Sequence, residues 1–168
     1  PSTWAPRLRS PRVLAGGRPD QVAAARADAA RAGLTDAVVF AGQRPAEEIP
    51  RFLDAADVLV SPRSTGTNTP LKIYQYLRSG RPIVATRLRT HTQVLDDETS
   101  ILAEPTPEAF GAAIVRAIED PARASEVGRR AQILRRDRRD AFDIDGALRD
   151  PRAERKACKN GELLRGIA

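Results

Sequence analysis

Short apolar runs alternate with segments of helical spacing along most of the chain. Arg12–Ala15 (RVLA) ends at Gly16-Gly17 and predicts a buried strand followed by a tight turn. Asp20 can cap the next helix, the Ala-rich segment Gln21–Ala32, which stops at Gly33. Ala37–Ala41 (AVVFA) predicts a second strand, stopped by Gly42. In Ala46–Ala56 the residues Ile49, Phe52, Leu53 and Ala56 recur at helical spacing, with Glu47 and Glu48 in the first turn. Asp57–Val60 (DVLV) is a third strand, stopped by Ser61-Pro62. After a polar loop, Pro70 suits the opening of a helix over Leu71–Ser79 that closes at Gly80. Arg81–Ala85 and Ser100–Ala103 predict the fourth and fifth strands, with a polar stretch Arg87–Gln93 and a short helix ending near Val94-Leu95 between them. Thr106 caps a helix from Pro107 to Glu119, and Pro121–Leu134 is a further helix.

The strands are apolar without strict alternation, as expected when both faces are covered. Five such strands alternating with helices predict a Rossmann-like, doubly wound α/β domain with a parallel sheet. Ligands of such sheets bind at the carboxyl ends of strands. Here those ends are Gly16-Gly17, Gly42–Arg44, Ser61–Pro70 and Thr86–Gln93. The expected organisation is an irregular lead over 1–10, one α/β domain over 11–134, and a tail over 135–168 that is partly helical or disordered.

Composition changes this picture in several ways. The chain has 168 residues, 41% hydrophobic and 30% charged, which suits one soluble domain. Its formal charge of +6 is unevenly placed: residues 1–128 carry 16 basic and 15 acidic side chains, whereas 129–168 carry 12 and 7. Any electrostatic attraction to nucleic acid therefore concerns the tail, which has a single aromatic, Phe142, and no nucleic-acid motif; the sequence argues against such a partner. One cysteine, Cys158, and one histidine, His91, exclude disulfide frameworks and multi-Cys or multi-His metal sites. No apolar run approaches the ~20 residues of a membrane span, and no signal segment opens the chain, so a cytoplasmic location is expected, with the inner face of the membrane as an alternative. The sequence contains no Met, which leads us to expect a piece of a longer polypeptide.

The loop Ser61–Pro70 with the helix behind it is the strongest candidate site. A helix N-terminus offers free N–H groups and the positive end of a dipole, so it attracts phosphate. Gly66 permits a tight turn, Thr67, Asn68 and Thr69 supply donors, and Lys72, the only lysine in residues 1–128, adds a charge in the first turn. The alternative is that the polar residues merely cap the helix. Arg63 can neutralise phosphate or be a surface arginine. Gln75 can face the same crevice or be a solvated amide. His91, at the outlet of the fourth strand, is either a cleft residue or a solvated one. Cys158 lies between Lys156 and Lys159 and reads as an exposed thiol.

The stretch SPRSTGTNTPLKIYQYLRSGRPIVAT resembles the signature region of GT-B-fold glycosyltransferases of the retaining, group 1 (family 4-like) kind. The LAGG turn, the block VVFAGQRPAEEIPRFLDAADVLVSP and the later ILAEPTPEAFGAAIVRAIEDP follow in the order of that family. The resemblance covers about residues 11–134 and corresponds to the C-terminal, donor-binding half of such enzymes.

It implies a set of roles. The loop Arg63, Gly66, Thr67, Asn68, Thr69, Pro70, Leu71 and Lys72 would hold the donor phosphate and sugar, and Gln75 the ribose. The base would lie near Phe40, Gly42, Gln43 and Arg44. Gly16, Gly17, His91 and Gln93 would face the cleft, although Gly-Gly after a strand can be only a turn. Three family glutamates align with Thr67, Gln75 and Gln93, all neutral here; Arg89 and Thr90 stand where family glycines would be. The implied function is transfer of a sugar from a nucleotide-sugar to an acceptor, with no metal or other cofactor and no assigned catalytic residue. The N-terminal acceptor domain would be the missing partner, and the chain alone would be inactive. The neutral replacements leave open a non-catalytic nucleotide-binding or scaffold domain of the same fold.

Overall fold

The computed structural model describes residues 12–137. The chain divides into two compact units, one running to Phe52 and the other beginning at Leu53. The expected tail from 138 onward and the lead over 1–10 lie outside the described residues.

In the first unit, strand β1 (Arg12–Ala15) pairs in parallel with β2 (Val38–Gly42), placing Val13 opposite Val39 and Leu14 opposite Phe40. The connection is helix α1 (Pro19–Arg31). Its cap differs from expectation. Arg18 is the N-cap residue, and Asp20 lies inside the first turn, because Pro19 is pre-set for the first helical position. The Gln21 side chain accepts the Arg18 N–H at 3.0 Å, and Arg18 pairs with Asp20 at 3.1 Å. That hydrogen bond from Arg18 is the main reason the Asp20 carboxyl sits below its usual pKa.

Helix α2 (Ile49–Ala55) spans the boundary between the units. It is shorter than the predicted Ala46–Ala56. A 3-10 turn, Ala46–Glu48, precedes it, because Pro50 has no N–H to offer an α-type bond to Ala46.

The second unit contains β3 (Leu59–Ser61), β4 (Ile83–Thr86) and β5 (Ile101–Ala103), all parallel, with β4 in the middle. Helix α3 (Lys72–Ser79) joins β3 to β4, and the short α4 (Arg89–Thr92) lies between β4 and β5. Helices α5 (Pro107–Glu119) and α6 (Pro121–Asp137) follow. Alternating residues of β4 feed two cores. Ile83 and Ala85 pack with Ile73, Leu77, Leu95 and Ala131. Val84 packs with Ala103, Phe110, Ala113, Ala117 and Ala124 on the other side. Covering both faces is what makes the unit doubly wound, and it explains why β4 shows no polar alternation. The described strands form two parallel ladders, one in each unit.

Thr106 Oγ1 accepts the Ala109 N–H at 3.3 Å and caps α5 as its sequence predicts. Gly80 ends α3 in the left-handed conformation, φ 70. Helix α6 crosses this corner at Gly128. A Cβ there would come within 2.3 Å of the Gly80 carbonyl oxygen, so only glycine permits the crossing.

Candidate functional site

The carboxyl end of β3 leads directly into the loop that carries most candidate residues. Arg63 folds back beneath it. One guanidinium nitrogen donates to the Asn68 carbonyl at 2.9 Å, and the guanidinium lies close to Gly66. Gly66, at φ +123, is required for its backbone angle; a Cβ there would also press on the Arg63 guanidinium at 3.2 Å.

The N-cap residue of α3 is Leu71, which makes no side-chain cap bond, and the Thr69 hydroxyl points to the Gln93 side-chain oxygen at 3.3 Å rather than into the helix. Pro70 and Leu71 form the turn before the helix, accepting the N–H groups of Ile73 and Tyr74. The Gln93 amide also donates to the Thr67 carbonyl at 3.4 Å, so Gln93 ties both ends of the Thr67–Thr69 segment. Gln75 is half-buried on α3 and makes no side-chain hydrogen bond among the described residues.

Lys72 is exposed as a residue, yet protein atoms crowd its charged group, which lies 5.8 Å from the Tyr76 ring. Desolvation first, and repulsion from Arg63 second, hold its pKa below the ordinary lysine value. No ion pair to Arg63 or Lys72 is formed among the described residues. Two cations thus meet at the start of α3 without a paired carboxylate among the described residues. Thr90 adds a further imbalance. Its hydroxyl is buried with no hydrogen-bond partner among the described residues, an arrangement that costs about 1–3 kcal/mol.

His91 is fully buried, so the solvated alternative is excluded. Its Nε2 lies 2.9 Å from Ser61 Oγ, and its Nδ1 lies 2.8 Å from the Thr86 carbonyl. A carbonyl can only accept, so Nδ1 carries the proton and Ser61 donates to Nε2, which is the neutral ring. Burial, chiefly, holds its pKa below the usual value; nearby Lys72 and Arg63 act in the same direction, and the Thr86 hydrogen bond opposes them. Ser61 and Thr86 were legible only as strand ends. A lone histidine just beyond a strand was the single signal that could have led to them.

The remaining candidates belong to the first unit. The Gly16 N–H donates to the Gly42 carbonyl at 2.7 Å, bringing the Gly16-Gly17 turn beside the end of β2. Both glycines have positive φ, 99 and 89, so the pair is a required turn. The Arg26 guanidinium stands 4.8 Å over the Phe40 ring. Arg44 donates to the Ala41 carbonyl at 3.0 Å and faces Glu48 at 3.9 Å. Gln43 is exposed.

The family model of glycosyl transferases group 1 matches residues 3–120. The chain belongs to that family. No protein with a curated description matches its sequence significantly. Among solved structures it is similar to HepE of Anabaena in complex with UDP, at 23% identity and a TM-score of 0.68, over 75% of this chain and 36% of that one. It is also similar to a sucrose-phosphate synthase from Thermosynechococcus elongatus, at 26% identity and a TM-score of 0.65, over 74% and 33%. This family member therefore spans about a third of the length of those two proteins. Against the isolated C-terminal domain of a group 1 glycosyl transferase (LpcC) from Francisella tularensis, the match is 16% identical with a TM-score of 0.62, over 78% of this chain and 88% of that domain. The fold is accordingly the C-terminal half of the GT-B architecture. No described helix of this glycosyl transferase group 1 chain is long and apolar enough to cross a membrane.

Proposed function

We propose that this chain is the donor-binding part of a retaining glycosyltransferase, and that the loop Arg63–Lys72 holds the diphosphate of a nucleotide-sugar. The observation that carries this reading is that Arg63 and Lys72 repel each other at the start of α3, with no acidic side chain paired to either among the described residues. A diphosphate supplies the missing negative charge, and the positive end of the α3 dipole favours it there. The same groups would stabilise the nucleoside diphosphate as it departs. HepE structures described as complexes with UDP and with UDP-glucose make a uridine nucleotide the first ligand to try. Transfer itself would need the acceptor half, so the chain alone should bind and not turn over.

Titration of the chain with UDP, followed by amide resonances, tests this. Shifts centred on Gly66–Gln75 are expected. Replacing both cations (Arg63→Gln with Lys72→Gln) should weaken UDP by about tenfold or more, since each charge-assisted contact contributes roughly 1.5–3 kcal/mol before screening. UDP shifts that avoid the loop altogether would overturn the assignment.

A second reading, nucleotide binding without turnover, draws on Gln93. Its amide is tied to Thr67 and Thr69, where the aligned family residue is an acid. Joined to a matching acceptor half, a chain that binds UDP-sugar yet neither transfers nor hydrolyses it would favour this reading.

A further inference from the structure

His91 is a buried ionisable group that the proposed diphosphate site does not use directly. Its ring bridges the ends of two neighbouring strands, taking the Ser61 hydroxyl of β3 at 2.9 Å and giving its Nδ1–H to the Thr86 carbonyl of β4 at 2.8 Å. Thr86 Oγ1 is 3.1 Å from the same Nδ1 and accepts the Arg63 N–H at 3.2 Å. Arg63 in turn holds the Asn68 carbonyl and lies under Gly66. A continuous set of polar contacts therefore runs from the imidazole to the loop.

We propose that His91 is a positioning residue for this loop, fixing Arg63 through Thr86, and that it couples occupancy of the loop by a diphosphate to uptake of one proton.

The coupling follows from which charges face the ring. Arg63 bears on it from the loop and Lys72 from α3, both positive. From β3 and β4 it meets only Ser61 and Thr86, which are neutral. The acids that follow α4 are directed elsewhere: Asp96 accepts from the Thr99 hydroxyl at 2.7 Å, and Asp97 pairs with Arg87 at 2.6 Å. A proton on His91 thus makes a third cation beside two others when the loop is empty. A bound diphosphate neutralises Arg63 and Lys72 and removes that repulsion. The protonated ring can still be satisfied, because Ser61 can turn and accept from Nε2–H. By linkage, whatever favours the proton when the anion is bound favours the anion when the proton is bound.

The inference rests on the diphosphate reading, and one experiment separates the two. His91 is the only histidine in the sequence, so its imidazole resonance is unambiguous. The chain is titrated with acid, with and without saturating UDP, while loop amides report binding. The His91 midpoint is expected to rise by roughly half to one pH unit when UDP is bound, the low end of what a nearby opposite charge produces. His91→Asn retains a donor for the Thr86 carbonyl but cannot take the proton. From neutral pH down to below the ligand-free His91 midpoint found in this titration, the parent should gain UDP affinity about three- to tenfold over this variant. Thr86→Val leaves the Thr86 carbonyl in place and removes Oγ1, the atom that links His91 Nδ1 to the Arg63 N–H; it should weaken UDP several-fold even if His91→Asn fails to fold. Loop shifts with an unmoved His91 midpoint would overturn the proton coupling and leave the diphosphate site standing. Unchanged UDP affinity in Thr86→Val would overturn the positioning role. An absence of loop shifts would overturn the diphosphate reading, and this inference with it.

Discussion

The two units are written in the same strand–turn–helix language and reach different states of burial. Every residue of β4 is buried. In β1 and β2 none is, and Val13, Leu14 and Val39 remain 48–49% exposed. Helix α1 contributes no buried residue either. What separates them is cover. Strand β4 has a strand on each side, α3 and the middle of α6 on one face, and α5 with the start of α6 on the other. Among the described residues, β1 and β2 have one strand partner each. A two-stranded ladder with a single helix excludes little water, whatever its sequence. An apolar run thus announces a strand, while its neighbours decide whether the strand becomes core.

The comparison is most exposed to native-state hydrogen exchange. Amides of Ile83–Thr86 should open only with the whole second unit. Those of Val13 and Val39 should exchange on the order of a hundredfold faster or more. Equal protection in the two ladders would remove the distinction. Side-chain truncation sharpens it. Ile83→Ala should cost about 3 kcal/mol in urea unfolding, from lost burial plus a cavity, whereas Val39→Ala should cost about 0.5 kcal/mol or less. Acid gives the smallest effect. His91 in the second unit has a folded pKa below that of the unfolded chain, so the unfolded state binds the proton first. Stability is therefore full above the unfolded value near 6.5 and declines as pH falls toward the folded value. Thermal melts across that window should show the decline in the parent and lose it in His91→Asn.

Much of this was readable beforehand. The five strands, the helix ends at Gly80 and Thr106 and the polar loop before α3 follow from apolar runs, turn residues and caps, which act over a few positions. The failures share a longer range. Nothing local says that the Thr69 hydroxyl reaches Gln93, because the two are distant in sequence and meet through the β4–α4 corner. Nor does a lone histidine reveal that both its nitrogens are taken by strand ends. The division at Phe52 is equally silent, since α2 reads as one uninterrupted helical stripe. The start of that helix was misread for a local reason, the missing N–H of Pro50.

Gly128 and Gly111 look alike on paper, each an isolated glycine inside a helix. A Cβ on Gly111 would touch nothing within 4 Å, whereas one on Gly128 would strike the backbone at Gly80. In a library randomised at both codons and selected for folded protein, position 111 should drift freely toward alanine and other helix formers. Position 128 should return a single letter, a fixed point around which the rest of the family's sequence can wander.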